Sequence, residues 1–333
     1  MCIRDRAWWL PRWLDRLLPV LDVEGESLHR RIAADEARAA RAAIEGPVPV
    51  IEAHGLGVSD PVGTVFADVD LRVPAGGILV VHGAPGGGKT SLLLTLAGRM
   101  AFTAGSLDVA GRLLPDQRHG VRKATALGEI TGVNDLDPLL SIVDHLTERL
   151  AGRGWLPWVG SHARDRATGL LTDLLGYAVS TVPAAHASPS LDSTTRVRDL
   201  APLERWVLGV TLALLDDPEI LLVDDIDGLR GSDDRAAAWA VLASLAGSPV
   251  RRTARTHRTQ PARALTVVVS CRDLHEATDA LAGAGGIPLV SLALASRSTE
   301  ADSFVTEHTG DPWTDPVAAS FTDPADELSE KVH

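Results

Sequence analysis

Gly83-Ala84-Pro85-Gly86-Gly87-Gly88-Lys89-Thr90 fits the pattern G-x-x-x-x-G-K-[ST] of a phosphate-binding loop. The apolar run Ile78-Leu79-Val80-Val81 before it reads as a buried strand, and Ser91-Leu92-Leu93-Leu94-Thr95-Leu96-Ala97 after it reads as a helix. That strand–loop–helix context is what the motif requires. Glycines let backbone N–H groups turn inward toward phosphate oxygens. The N-terminus of the following helix adds partial positive charge at the same spot. Gly83, Ala84, Pro85, Gly86, Gly87, Gly88 and Ser91 are therefore candidate nucleotide-cradling positions. Lys89 is expected to reach the β- and γ-phosphates, and the Thr90 hydroxyl to ligate Mg²⁺.

A second signal lies downstream. Glu219-Ile220-Leu221-Leu222-Val223-Asp224-Asp225 is an apolar run ending in two acids. A buried parallel strand would deliver Asp224 to its C-terminal tip, where metal and phosphates meet. Pro202 to Leu215 before it reads as a helix, with Pro near its start and Asp216-Asp217-Pro218 closing it.

Outward from these two stretches, Val48–Val58 and Val65–Val73 read as strands and Gly105–Leu113 as a strand pair. Helices are expected over Ser141–Leu150, His162–Leu175, residues 233–246 and Asp273–Leu281. Leu265–Ser270 and Ile287–Ala293 read as strands, and the Ser, Thr, Ala and Pro-rich residues 178–195 as a loop. Ser248–Ala264 is a basic insert, read either as a solvated loop or as a contact for anionic lipid or a partner.

The ends differ in character. Residues 1–6 are read as a sequencing-adapter artefact and set aside. Residues 7–46 are expected to form a helical extension. Trp8, Trp9, Trp13, Leu14, Leu17 and Leu18 fall on one broad face of its first helix, suited to a membrane interface or to packing on the body. Residues 296–333 are polar and acidic and read as disordered.

The 333 residues carry a net charge of −12, which argues against a nucleic-acid-binding surface over the whole chain. Cys2 and Cys271 form neither a disulfide framework nor a metal spacing, consistent with a reducing, cytoplasmic setting.

Over residues 48–295 the chain resembles the ATP-binding subunit of an ATP-binding cassette (ABC) transporter. Leu200, Pro218 and Asp224 fall in the family's register of signature, helix end and strand acid, and Pro138–Leu146 echoes its coupling segment. The resemblance implies an α/β fold: a phosphate-loop NTPase of ABC type, with a parallel core sheet flanked by helices and an antiparallel β subdomain. A helical subdomain would span about residues 135–210. It implies ATP and Mg²⁺ as ligands and Thr90 with Asp224 on the metal. It also implies a homo- or heterodimer of nucleotide-binding domains, a separate membrane permease, and a peripheral place on the inner face of the cell membrane.

The departures bear on catalysis. Ala201-Pro202-Leu203-Glu204 stands where the family has Ser-Gly-Gly-Gln, so Glu204 is expected to bring negative charge near a triphosphate. Asp225 replaces the catalytic Glu and is one methylene shorter; misplacement by about 1 Å costs on the order of a hundredfold in rate. Arg272 stands at the switch His. Gly132 falls at the Mg²⁺-ligating Gln, with Glu129 and Asn134 nearby. No aromatic residue lies near Asp60-Pro61, and Asp227-Gly228-Leu229-Arg230 replaces the usual linking loop. The expectation is slow hydrolysis, with Asp225 as a weak base and Arg272 stabilising charge, driving or gating an export system. The alternative is a non-transport, ATP-binding regulatory switch or scaffold. A small-molecule kinase would need an acceptor-activating constellation that the segment between the two motifs lacks.

Overall fold

The computed structural model describes residues 49–61, 63–152, 161–182, 184–188, 191–249, 264–282 and 287–294. The expected adapter remnant, N-terminal extension and acidic tail lie outside the described residues, as does most of the basic insert.

The strands are β1 (Pro49–Asp60), β2 (Gly63–Pro74), β3 (Ile78–His82), β4 (Ala104–Val109), β5 (Arg112–Leu114), β6 (Thr125–Leu127), β7 (Ile220–Val223), β8 (Thr266–Cys271) and β9 (Leu289–Ala293). The helices are α1 (Lys89–Leu96), α2 (Arg118–Ala124), α3 (Ile142–Ala151), α4 (Ser161–Thr181), α5 (Pro202–Leu214), α6 (Ser232–Leu245) and α7 (Leu274–Leu281).

Two sheets result. One is antiparallel in the order β2-β1-β4-β5; the other runs β6-β7-β8-β3-β9 with every pair parallel. The parallel strands β3, β7 and β8 are apolar nearly throughout because both their faces are covered. Alternation along each strand divides the core. Ile78, Val80, Leu221, Val223, Val267 and Val269 face the side packed by α3, α4, α5, α6 and α7. Leu79, Val81, Ile220, Leu222 and Val268 face α1 and the antiparallel sheet. Trp239 of α6 is the bulkiest fully buried side chain on the helical side.

The three helices α3, α4 and α5 occupy the expected helical subdomain. The N-terminus of α3 is set by a reciprocal cap: Ser141 Oγ accepts from Asp144 N–H at 3.3 Å, and the Asp144 carboxylate accepts from Ser141 N–H at 3.0 Å. Ile142 N–H and Val143 N–H donate to Thr195 O and Ser193 O, so the segment preceding α5 is tied to α3.

Some elements depart from expectation. Helix α4 runs on to Thr181, six residues past Leu175, because Leu174, Leu175 and Ala178 stay buried while Ser180 and Thr181 hydroxyls donate back to Tyr177 O. Helix α2 and strand β6 are additional elements, seven and three residues long. Both are too short for periodicity to announce them. The β4–β5 hairpin turns on Ala110 and Gly111, with φ of 53° and 74°, the left-handed pair of a tight two-residue loop. Among the described residues no helix is long and apolar enough to cross a membrane.

Candidate functional site

Parallel register brings the strand ends level. His82 of β3 pairs with Cys271 of β8, and Val223 of β7 pairs with Val269. Gly83 follows the first strand, Asp224 the second, and Ser270 is the next-to-last residue of the third beside them. Ligands in open parallel sheets bind at this carboxyl edge.

The glycine loop, residues 83–88, joins β3 to α1, whose first three residues are Lys89, Thr90 and Ser91. Two of its glycines are sterically fixed. A Cβ on Gly83, at φ 145°, would lie 2.3 Å from Leu294 O, and one on Gly88, at φ 84°, would lie 2.7 Å from Val65 O. Gly88 also takes the left-handed turn that starts α1. The Lys89 ammonium donates to Gly83 O at 2.7 Å and to Ala84 O at 2.9 Å, so it is held over the loop rather than extended into solvent. Ser91 is half-buried on α1, and its carbonyl accepts from the Thr95 hydroxyl.

The two sequence signals meet. Thr90 Oγ1 donates to Asp224 Oδ2 at 2.6 Å, across 134 residues of chain. The other oxygen, Asp224 Oδ1, accepts from Ser270 Oγ, and Ser270 Oγ accepts from Asp225 N–H at 2.8 Å. Asp225 sits in the left-handed region, φ 48° and ψ 62°, a conformation that strains a non-glycine residue. Two residues on, Asp227 Oδ2 accepts from Arg272 N–H at 2.7 Å. The loop after β7 is therefore stapled to the end of β8 at two points.

Charge follows from this crowding. The Asp225 carboxyl is held above the ordinary Asp range, first by desolvation, then by Asp227 and Asp224; Arg272 and Lys89 pull the other way. Arg272 is exposed, and its backbone N–H ties the end of β8 to Asp227. Beside it, burial foremost pushes the Cys271 thiol up to about 12, and Asp227 adds to the effect.

Glu204 differs from the expectation of charge aimed at a triphosphate. It is buried at the start of α5 and turned inward. Its carboxylate accepts from Ala201 N–H at 2.9 Å and from Ser188 N–H at 2.8 Å. A second buried acid, Asp234 of α6, accepts from His186 N–H at 2.7 Å. Two carboxylates thus hold the segment 186–188 against the first turns of α5 and α6.

The candidates near the family's Gln position are also engaged. Glu129 accepts from Arg205 Nε at 3.1 and 3.0 Å and from Leu136 N–H at 3.2 Å. Asn134 folds back on its own loop, accepting from Ile130 N–H and donating to Gly128 O. Gly132 is a left-handed turn whose N–H donates to Asp135. At the β1–β2 turn, Asp60 Oδ1 accepts from Gly63 N–H at 2.9 Å.

Ser270 carries a role that sequence reasoning missed. Its signal was a hydroxyl closing the run Val267-Val268-Val269. As a whole, the site sets the N-terminus of a helix beside a hydroxyl and a carboxylate, hard oxygen donors of the kind that suits Mg²⁺.

Residues 66–227 match the family model described as ABC transporter. The chain is 34% identical over 214 residues to the cytochrome c biogenesis ATP-binding export protein CcmA of Cupriavidus necator, covering 62% of this chain and 88% of that protein. It is 29% identical to the Nod factor export ATP-binding protein I of Cupriavidus pinatubonensis, covering 60% of this chain and 56% of that one. The hemin import ATP-binding protein HmuV of Pseudomonas fluorescens is 29% identical, with coverages of 58% and 76%. A dimeric bacterial ABC transporter cassette superposes with a TM-score of 0.52 at 17% identity, covering 74% of this chain and 96% of that one. Subunits of this kind dimerise and work with membrane permeases. The sequence match, the fold and the meeting of Thr90 with Asp224 agree: this chain belongs to the ATP-binding subunits of ABC transporters.

Proposed function

We propose that this subunit binds Mg²⁺–ATP at the Thr90–Asp224 site and hydrolyses it slowly to drive or gate a separate permease of an export system. The observation that carries the reading is the 2.6 Å hydrogen bond between Thr90 and Asp224. The residues fit the ligand. Gly83 and Gly88 let the loop turn tightly against Leu294 O and Val65 O, and α1 offers its positive end. Lys89 neutralises the β- and γ-phosphates, with backbone N–H groups from Gly88 to Ser91 beside them. Thr90 and Asp224 would hold the cation, which would draw negative charge off the phosphates. Asp225 accepts the proton of the attacking water, and Arg272 stabilises charge at the γ-phosphate.

Three features support a slow rate. Asp225 is one methylene shorter than the family's Glu, and so sits further from an attacking water. Arg272 cannot act as a neutral relay. The first turn of α5, where the family presents its signature, is closed by Glu204 from within the chain. The export protein CcmA of Cupriavidus necator, matched over 88% of its length, supports the export reading. A dimer of such subunits would lie on the inner face of the cell membrane against its permease.

The inward Glu204 also favours a second reading, an ATP-binding switch with negligible turnover. Fluorescent mant-ATP binding and ATP turnover, measured for the parent and for Lys89→Ala, separate them. Binding lost in Lys89→Ala with turnover above it supports the ATPase. Binding lost with equal turnover selects the switch, and binding unchanged in Lys89→Ala overturns the site.

A further inference from the structure

The geometry points to Ser270 as a positioning residue that locks the metal-facing acid and the base-position acid into one unit, an inference that rests on the Mg²⁺–ATP reading above. A serine hydroxyl has one proton to give and lone pairs to receive with. Here the proton goes to Asp224 Oδ1, and a lone pair takes the Asp225 N–H at 2.8 Å. Both capacities are spent on the two consecutive acids.

The consequences differ for each acid. Asp224 has its two oxygens divided: Oδ1 belongs to Ser270 and Oδ2 to Thr90. The carboxylate cannot rotate without breaking a charge-assisted bond, so Oδ2 stays on the Thr90 side. Asp225 has a strained left-handed backbone, which persists only where surroundings over-determine it. Its N–H bond to Ser270 is one determinant, and the Asp227–Arg272 N–H bond at 2.7 Å is the next. The anchor itself is rigid. Ser270 is fully buried, and its strand is paired on both sides, by β7 and by β3. A hydroxyl at the close of an all-valine run has no packing advantage over valine; its two hydrogen bonds account for it.

The experiment measures mant-ATP affinity with Mg²⁺ and with EDTA, for the parent, Ser270→Ala and Ser270→Thr. In Ser270→Ala the gain in affinity conferred by Mg²⁺ should fall about tenfold, the worth of one charge-assisted hydrogen bond, while affinity in EDTA stays at the parent value. Ser270→Thr, which keeps the hydroxyl, should restore the gain. Constant EDTA affinity separates positioning from a general loss of fold. A parent-like Mg²⁺ gain in Ser270→Ala overturns the inference alone. So does an equal loss with and without Mg²⁺, or failure of Ser270→Thr to restore the gain while its EDTA affinity is intact. A parent that gains nothing from Mg²⁺ sinks the metal site of the functional reading itself, and this inference with it.

Discussion

Arg205, in the first turn of α5, clasps Glu129, two residues past the end of β6, through Nε to both carboxylate oxygens and through a further Nη2 contact. The pair joins the helical subdomain to the edge of the parallel sheet. It is reinforced by close packing, since a Cβ on Gly209 would lie 3.1 Å from Glu129 Cβ. Glu129 holds the Arg205 guanidinium proton more tightly than usual.

Removing one partner should loosen that joint. The pair is part-exposed, at 38% and 17% for the two side chains, so Arg205→Ala should cost about 1–2 kcal/mol rather than the full penalty of a buried ion. Hydrogen exchange should rise over Pro202–Leu214 first. Unchanged exchange there would show that the joint is held by packing alone.

Glu204 gives a sharper stability test. Glu204→Ala leaves the N–H groups of Ala201 and Ser188 without their acceptor, at about 1–3 kcal/mol. Glu204→Gln keeps an oxygen acceptor and should lose less. Thermal unfolding of the two variants checks the order.

Turnover should depend on pH through Asp225. Its folded pKa is raised, so the base form fills only as pH climbs past the ordinary Asp range, and hydrolysis should rise through that window. Stability contributed by the protonated acid is present below its unfolded pKa and is lost as pH rises through the folded one. Asp227→Asn removes a neighbouring charge and should move the acid limb to lower pH. Arg272→Ala should move it higher. A steady-state pH profile of the three proteins reads both shifts.

Gly88→Ala should abolish nucleotide binding. Its Cβ would meet Val65 O at 2.7 Å, and its φ of 84° is strained for alanine by about 1–2 kcal/mol. Mant-ATP titration against the parent reports the loss.

What was legible in the sequence was what is contiguous. The run Ile78–Val81, the glycine turn and Lys89 lie side by side, and their local chemistry names them. Asp224 was legible because a strand tip is a local pattern too. The partners of these groups were not. Ser270 is 46 residues from Asp224, and Arg205 is 76 from Glu129. Such pairs exist only once parallel register and helix packing are set. Glu204 shows the same limit in its direction: the letter announces a carboxylate, but only the packing of the segment around Ser188 turns it inward. Strand β6 escaped because three residues, Thr125-Ala126-Leu127, hold no period.

The Cys271 thiol, buried and pushed up to about 12, has a use beyond its place in the strand. At neutral pH very little of it is thiolate, so alkylating reagents should spare Cys271 in the folded protein. It becomes a clock for the site. The rate at which iodoacetamide modifies Cys271 counts how often the rim of β8 opens, and any ligand that seals that rim should slow the count.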